Sequence, residues 1–314
     1  MTAGPTLPTV TLPVPPSPSR YRRQLPTRFG LLIAIAILRA LGPERASNLA
    51  GTVAAAIGRH LGASRIADRN LALALPDLTP AARRRVITEV WRNLGRNVGE
   101  LPHLAALKRS THGPGWELVG EENLPQGQAI FFSAHCHNWE MILPIAAQLG
   151  LAVSGAYRRA SNPAVEEVIQ NLRLAAHGNH VTMFPKGAAG ARAAIAHLAR
   201  GGSLGLLVDQ KMNDGIAVPF FGRMAMTATA PAQFALRFNL PLVPIRIERI
   251  GPARLRLVCE PPLAVPRTGD RAADIRAITT ALNARVEAWV RADPGSWLWL
   301  HRRWPKPECP SAPA

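Results

Sequence analysis

The chain has 314 residues, 47% of them hydrophobic, and a formal net charge of +17 from 37 basic against 20 acidic residues. The length and hydrophobic content are sufficient for a full core, and the charge indicates acidic partners. Three widely spaced cysteines, no Cys-x-x-Cys pair, no Gly-rich nucleotide loop and only 5% aromatics exclude a disulfide framework and a nucleotide-binding loop, and they disfavour nucleic acid as a partner.

The N-terminal part of the chain divides into two predicted regions. Residues 1–27 open with a Pro-rich stretch and are predicted to be disordered. Residues 28–64 are predicted to form a membrane-associated helical region, because basic residues precede an apolar run at 29–38. That run is about half the length of a spanning helix, so an interfacial helix is the first interpretation and a tilted span the alternative.

The rest of the chain alternates between helical and strand patterns, which predicts one α/β domain over 65–305, followed by a disordered tail at 306–314. Helices are expected at 46–63, 80–107 and 270–291. Short strands are expected at 128–132, before Arg158 and at 203–208, and an antiparallel pair at 242–248 and 253–259.

One segment combines an apolar run with residues suited to acid–base chemistry. In Phe131-Phe132-Ser133-Ala134-His135-Cys136-His137-Asn138-Trp139-Glu140, a histidine follows a predicted strand and a carboxylate stands five positions later. Histidine is the side chain most readily poised as a general base near neutral pH, and a carboxylate can fix its tautomer. We therefore predict His135 as the base and Glu140 as its partner. His112 and Glu117 have the same separation but lie in a Gly/Pro loop without a preceding strand.

The residue types in this segment would also suit two other chemistries, a cysteine nucleophile and a zinc site. Cys136 could act as a nucleophile, but an isolated buried cysteine is more often packing. The pair His135 and His137 could bind zinc with Glu140, but no third His or Asp cluster accompanies them in sequence. We therefore expect neither a metal nor an organic cofactor, and we interpret His137 as a turn residue bonded to nearby backbone.

Other polar residues follow predicted strands and are candidates for substrate binding. Arg158 and Arg223 could supply cationic donors, although each could instead be a solvated surface residue. Asp209 ends the apolar run 203–208, and a carboxylate there could orient an Arg or a His. The bulky apolar residues at 218–221 and 224–226 could form a slot for an apolar substrate chain or belong to the core. The tryptophans at 297, 299 and 304 could lie at a membrane interface or pack inside the fold.

Five blocks in order resemble the bacterial lipid A biosynthesis acyltransferases, the lauroyl/myristoyl family within the lysophospholipid acyltransferases, over about residues 65–303. The first is the His-x-x-x-x-Glu segment at His135. The others are residues 70–76 with 92–96, Tyr157-Arg158, Asp209-Gln210 with 218–222, and residues 297–303. His137 is a departure, because many relatives carry Gly there.

The resemblance implies a central mixed sheet flanked by helices, as in glycerolipid acyltransferases, with Asp209 and Gln210 lining the site. It implies acyl transfer from acyl carrier protein to a hydroxyl of an anionic lipid A precursor, at the cytoplasmic face of the bacterial inner membrane. Another glycolipid or lysophospholipid acceptor, or acyl-CoA as donor, stays open. Less favoured are a zinc hydrolase and a non-enzymatic basic protein that binds membrane or nucleic acid.

Overall fold

The fold is built on a seven-stranded sheet, seen in a computed structural model that describes residues 18–305. The predicted tail at 306–314 and residues 1–17 of the predicted extension lie outside the described residues. The strands are β1 (Gly115–Val119), β2 (Ile130–Ser133), β3 (Val153–Tyr157), β4 (Met183–Pro185), β5 (Ser203–Leu207), β6 (Ile216–Phe220), β7 (Arg223–Thr227), β8 (Leu242–Gly251) and β9 (Arg254–Cys259).

The sheet is mixed and has the order β1-β9-β8-β2-β5-β3-β4, which confirms the expected α/β class. All pairs are parallel except β8 with β9, which form the predicted antiparallel pair. β2 lies at the centre and all four of its residues are buried, because Ile130 and Phe132 face one apolar cluster and Phe131 faces another. Such two-sided burial explains the continuous apolar run in the sequence.

Helices flank the sheet, and the first three of them precede its first strand in the chain. They are α1 (Pro18–Gly58), α2 (Gly62–Ala74), α3 (Pro80–Glu100), α4 (Ile142–Gln148), α5 (Pro163–His177), α6 (Ala188–Ala199), α7 (Ala230–Phe238) and α8 (Arg271–Ala292). Asp270 caps α8 by accepting from the backbone N–H groups of Ala272 and Ala273, and Thr79 caps α3 in the same way.

α1 differs from the sequence prediction at its start. The helix begins at Pro18, so residues 18–27 are helical rather than part of an irregular extension. The prolines are dense only up to Pro18, and the Arg- and Leu-containing stretch that follows has good helix propensity. The helix kinks at Gly42, whose φ of 73° and ψ of 166° are non-helical, and Pro43 then occupies the first turn of the second segment.

The apolar run 29–38 lies within α1 and presents two faces. Ile35 is buried and packs against Val168 and Leu172 of α5. Phe29, Ile33 and Ile37 are 69%, 46% and 54% exposed. Within residues 18–305, no helix carries an apolar stretch long enough to cross a bilayer.

A separate two-stranded ribbon, β6 with β7, packs against α8 and the C-terminal tryptophans. Val218 and Phe220 are buried, and the ring of Phe220 contacts the rings of Trp297 and Trp304. Val218, Phe220 and Phe221 therefore belong to the core rather than to an open slot, whereas Pro219 is exposed. Trp297, Trp299 and Trp304 are at most 5% exposed, so the packing interpretation is confirmed and the membrane-interface alternative is wrong for them.

Candidate active site

His135 and Asp209 meet at the carboxyl edge of the central strands. β2 and β5 are parallel neighbours with Ser133 opposite Leu207, so residues two positions beyond each strand come together. The Nδ1 atom of His135 lies 2.9 Å from Oδ1 of Asp209, and the backbone N–H of His135 donates to Oδ2 at 3.2 Å. This edge is where open α/β sheets place their ligands.

The C-terminal segment holds this pair in place. The indole Nε1 of Trp297 donates to Oδ2 of Asp209 at 2.7 Å, and the backbone N–H of Leu298 donates to the carbonyl of His135 at 3.0 Å. The Asp209 side chain is fully buried, whereas His135 keeps 16% of its side chain exposed. The imidazole is therefore fixed on one side and accessible on the other.

The electrostatics of the pair favour an ionised carboxylate beside a basic imidazole. Burial disfavours the imidazolium form, but the charge and hydrogen bond of Asp209 outweigh burial and raise the pKa of His135. Although burial alone would raise the pKa of Asp209, the interaction with His135 holds it well below its ordinary range. Asp209 therefore stays a carboxylate and stabilises positive charge on the ring.

The second ring nitrogen of His135 faces a polar side chain at the opening of the site. With Nδ1–H donated to Asp209, Nε2 carries the lone pair, and the amide Nε2 of Gln210 lies 3.3 Å from it. The ring also makes an edge contact with Trp139, at 5.0 Å between centroids. A hydroxyl group that replaced the Gln210 contact could transfer its proton to Nε2.

A comparison with known protein families places the chain in one of them. The sequence profile of the bacterial lipid A biosynthesis acyltransferases matches residues 19–306. The chain belongs to this family. It is therefore an acyltransferase, and its family acts in lipid A biosynthesis. The resemblance to the lipid A biosynthesis acyltransferases is thereby confirmed.

Two further comparisons, with curated proteins and with solved structures, do not identify a function. No curated protein matches the sequence significantly. Among solved structures, the 1-acyl-sn-glycerophosphate (LPA) acyltransferase PlsC from Thermotoga maritima aligns with 86% of this chain and 98% of its own, at 12% sequence identity and a TM-score of 0.36. A likeness at that level assigns no function to this chain.

The predicted partner of His135 needs correction. Both carboxylate oxygens of Glu140 bind the guanidinium of Arg173, at 2.8 Å to Nε and 2.7 Å to Nη2. The chain reverses at His137, which has a φ of 45°, and a 3-10 turn over Trp139–Met141 then directs Glu140 towards α5. Among the described contacts, the carboxylate that bonds His135 is Asp209, and Glu140 affects the ring only through its charge.

The other predicted substrate residues lie at different distances from the pair. Gln210 is exposed and contacts His135 directly. Arg158 is exposed just after β3, and because β5 separates β3 from β2 it lies roughly 10 Å along the edge. Arg223 begins β7, and its Nε donates to the carbonyl of Leu73 in α2 at 3.1 Å, so it stays a prediction without a described contact to the His135 loop.

The two residues that offered rival chemistry have structural surroundings. Cys136 is buried, and burial with the nearby Asp209 charge raises the pKa of its thiol far above neutrality, so no thiolate forms there. The ring of His137 contacts the carbonyl of Ile247 at 3.1 Å and the Asp293 carboxylate at 3.2 Å. Across residues 18–305, no three His, Cys, Asp or Glu side chains are grouped closely enough to hold a metal ion.

A buried polar network around Glu100 supports the loop that contains His137. Glu100 is fully buried and accepts from Oγ of Ser47, Nδ2 of Asn138 and the backbone N–H of Ala253, at 2.6, 2.7 and 3.0 Å, and it also pairs with Arg249. Every acceptor site of the carboxylate is thus used, as a buried charge requires. The network joins α1, α3 and β8 to the loop that carries His135.

Sequence reasoning missed the role of several residues around the site. Trp297 stood within a family block, but no spacing rule connects it to Asp209, 88 positions earlier. Arg303 is fully buried, and its guanidinium donates to the Met226 carbonyl and to Thr227, with burial lowering its pKa to about 10. Arg173 lies within an ordinary helical pattern, which gives no signal for its pairing with Glu140.

Proposed function

We propose that this enzyme transfers a fatty acyl chain from acyl carrier protein to a hydroxyl group of a lipid A precursor. The observation that carries the proposal is the His135 imidazole, bonded through Nδ1 to the buried Asp209 and open at Nε2. Membership of the lipid A biosynthesis family supports the acceptor, and the net charge of +17 suits both an acidic carrier and a phosphorylated lipid.

The reaction needs a proton to leave the acceptor and arrive at the leaving group. Nε2 of His135 takes the hydroxyl proton while the oxygen attacks the thioester carbonyl carbon, and Asp209 stabilises the imidazolium that forms. The tetrahedral intermediate then collapses, the C–S bond breaks, and the imidazolium returns the proton to the sulfur. The products are the ester and the free carrier thiol, and no acyl-enzyme is required.

The negative charge that develops on the thioester oxygen needs a donor near His135. The Gln210 amide is 3.3 Å from Nε2 of the ring and exposed at the same opening, so it can donate to a group that reacts there. We assign it to the oxyanion. Arg158 lies farther along the edge and is assigned to a more distant part of a substrate.

The acceptor lipid also requires access to a membrane. We assign this role to an apolar stripe on α1, formed by exposed residues spaced four apart on each side of the kink: Phe29, Ile33 and Ile37, then Leu49, Val53 and Ile57. Exposed basic residues, among them Arg39, Arg45 and Arg59, accompany the stripe. Apolar and basic groups together suit an anionic surface such as the cytoplasmic face of the inner membrane.

The test is acyl transfer from radiolabelled acyl carrier protein to a tetra-acylated lipid A precursor, comparing wild type with His135→Ala. We expect transfer by wild type, resistance to chelators, and loss in the variant at equal protein level. Transfer only to a lysophospholipid or another glycolipid would keep the acyltransferase and replace the acceptor. Full activity of His135→Ala would overturn the base assignment.

A further inference from the structure

Four basic side chains stand at the same sheet edge as His135 and take no part in the pairing described above. We call Arg158, Arg159, Lys186 and Lys211 the basic edge. All four are exposed, and none forms an ion pair with any residue between 18 and 305 that the structure describes.

The sheet topology brings these residues together from distant parts of the chain. β3 and β4 are parallel with Tyr157 opposite Pro185, so Arg158 and Lys186 follow neighbouring strand ends, and the backbone N–H of Lys186 donates to the Tyr157 carbonyl at 2.9 Å. β5 lies between β2 and β3 and leads through Gln210 into Lys211. The edge therefore runs from His135 across three strand spacings, roughly 15 Å.

Three carboxylates of neighbouring segments bond to other groups and form no described ion pair with these four side chains. Glu166 accepts from the backbone N–H of Ala160 at 2.7 Å, Glu167 pairs with Arg28, and Glu140 pairs with Arg173. Asp214 is exposed in the loop that follows Lys211 and is not bonded to any of the four. By contrast, many other arginines of this chain are paired, such as Arg109 with Glu121 and Arg256 with Glu117.

The shape of the basic edge indicates the kind of partner. Sites for a single phosphate are concave and converge several donors on one point. A cleft of about 300 Å³ on this protein is lined by residues such as Arg96, His137 and Asp293 and includes none of the basic edge. Exposed cations spread over roughly 15 Å instead complement an extended acidic protein surface.

We propose that the basic edge is the docking surface for the acidic carrier protein that delivers the acyl chain. This inference rests on the proposed donor. A carrier presents its thioester at the end of a flexible prosthetic arm, so the protein can rest on the basic edge while the thioester reaches His135. The four charges then act on recognition of the carrier rather than on the chemical step.

The test compares two sets of charge-neutralising substitutions. The edge variant combines Arg159→Gln, Lys186→Gln and Lys211→Gln. The control variant removes the same charge from exposed arginines elsewhere, with Arg84→Gln, Arg85→Gln and Arg271→Gln. Each is assayed with an acyl carrier protein thioester and with an acyl-pantetheine of the same chain length, at several salt concentrations, and KM is measured for donor and acceptor.

We expect the edge variant to lose about 10- to 100-fold in kcat/KM with the carrier thioester and to depend less on salt. Its turnover of acyl-pantetheine should match that of the control, which also shows that it is folded. Equal losses with both thioesters, no loss with the carrier, or a rise only in the KM of the acceptor lipid would overturn the docking role. A wild-type enzyme that uses acyl-pantetheine but no carrier thioester would instead overturn the proposed donor, and the docking role with it.

Discussion

His135 lies near two carboxylates, and their surroundings give them different roles. Asp209 is fully buried. Its carboxylate accepts hydrogen bonds from Nδ1 and the backbone N–H of His135 and from the indole N–H of Trp297. Glu140 is partly exposed and has both oxygens occupied by Arg173. A carboxylate committed to a guanidinium in this way cannot also fix the imidazole tautomer, so the orienting role falls to Asp209.

The first prediction compares the two carboxylates by isosteric amide substitution. Asp209→Asn removes the acceptor that stabilises the imidazolium, and we expect kcat to fall about 10²- to 10⁴-fold. Glu140→Gln removes only a more distant charge, and we expect a loss below about tenfold. Steady-state acyl transfer of both purified variants, with circular dichroism to confirm folding, makes the comparison. Equal losses, or a larger loss in Glu140→Gln, would contradict these roles.

The second prediction concerns pH. The base must be neutral to accept a proton, so kcat/KM should rise with pH as His135 deprotonates, and the raised pKa puts this rise above the ordinary imidazole value of about 6.5. In Asp209→Asn the stabilising charge is gone and burial remains, so the midpoint should move to lower pH. Residual activity of the variant followed from pH 5 to 9 measures the shift. Coincident midpoints would show that Asp209 does not set the pKa of the base.

The sequence predicted the positions of His135 and Asp209, because each follows a buried strand and the carboxyl ends of parallel strands meet at one edge of the sheet, whereas Gln210 was expected there only from the family resemblance. It could not predict which carboxylate meets the ring. That choice depends on β5 lying beside β2, which joins side chains 74 positions apart in the chain, and on the left-handed turn at His137. Local spacing favoured Glu140, and long-range topology decided otherwise.

At the scale of elements, α1 and α3 form a closely packed pair. Ala46, Ala50 and Ala54 of α1 face Gly95 and Gly99 of α3, and a Cβ built on Gly95 would lie 2.3 Å from the Ala50 carbonyl oxygen. One on Gly99 would lie 2.4 Å from the Ala46 oxygen. Small residues four apart on both helices permit this approach of the backbones. Because Glu100 and Ser47 lie in the same contact, the pair also supports the His135 loop.

The third prediction tests this packing with a matched pair of substitutions. Gly95→Ala forces the two helices apart and should cost roughly 1–3 kcal/mol of unfolding free energy. Gly30→Ala in α1 has nothing within 4 Å of the new methyl group and should leave stability unchanged or raise it by up to about 1 kcal/mol. Urea denaturation followed by tryptophan fluorescence gives both values. If the two substitutions have the same effect, the close approach is not what stabilises the pair.

Most elements were predictable, since β2 and β5 are continuous apolar runs, β8 and β9 alternate with period two, and α8 has a helical pattern. The sequence pattern does not indicate strands for the ribbon of β6 and β7. Its sequence contains Pro219 and a turn at Phe221-Gly222, where Phe221 adopts a φ of 52° that bulky residues rarely take. That conformation is held by contacts made elsewhere in the chain, among them the bond from the Phe221 N–H to Glu287 and the rings of Trp299 and Trp304. A local pattern cannot reveal such contacts.

At the scale of the whole molecule, the apolar stripe and the basic edge belong to different elements, the stripe to α1 and the basic edge to the strand ends of the sheet. The stripe contains large side chains such as Phe29 and Ile57, 69% and 57% exposed, on a helix that packs through its other face on α3 and α5. The basic edge lies at the carboxyl ends of β3, β4 and β5. In the proposed function, the stripe contacts the lipid surface and the basic edge receives the protein donor.

The fourth prediction tests the stripe as a membrane contact. Ile33→Ser with Ile37→Ser removes two apolar side chains that are 46% and 54% exposed. Each would contribute up to about 1.5–3 kcal/mol if fully inserted, so we expect the partition coefficient onto anionic vesicles to fall about tenfold or more. The control is Val119→Ser with Met224→Ser, which removes apolar side chains of similar exposure, 47% and 56%, from β1 and β7. Cosedimentation with vesicles of phosphatidylglycerol and phosphatidylethanolamine, at low and high salt, measures the binding of both variants.

Salt should weaken the electrostatic part of vesicle binding in every variant. It should leave the difference between the stripe variant and the control variant in place, because that difference comes from apolar burial. A stripe variant that binds as well as the control would remove α1 from the membrane contact and leave binding to the basic residues alone.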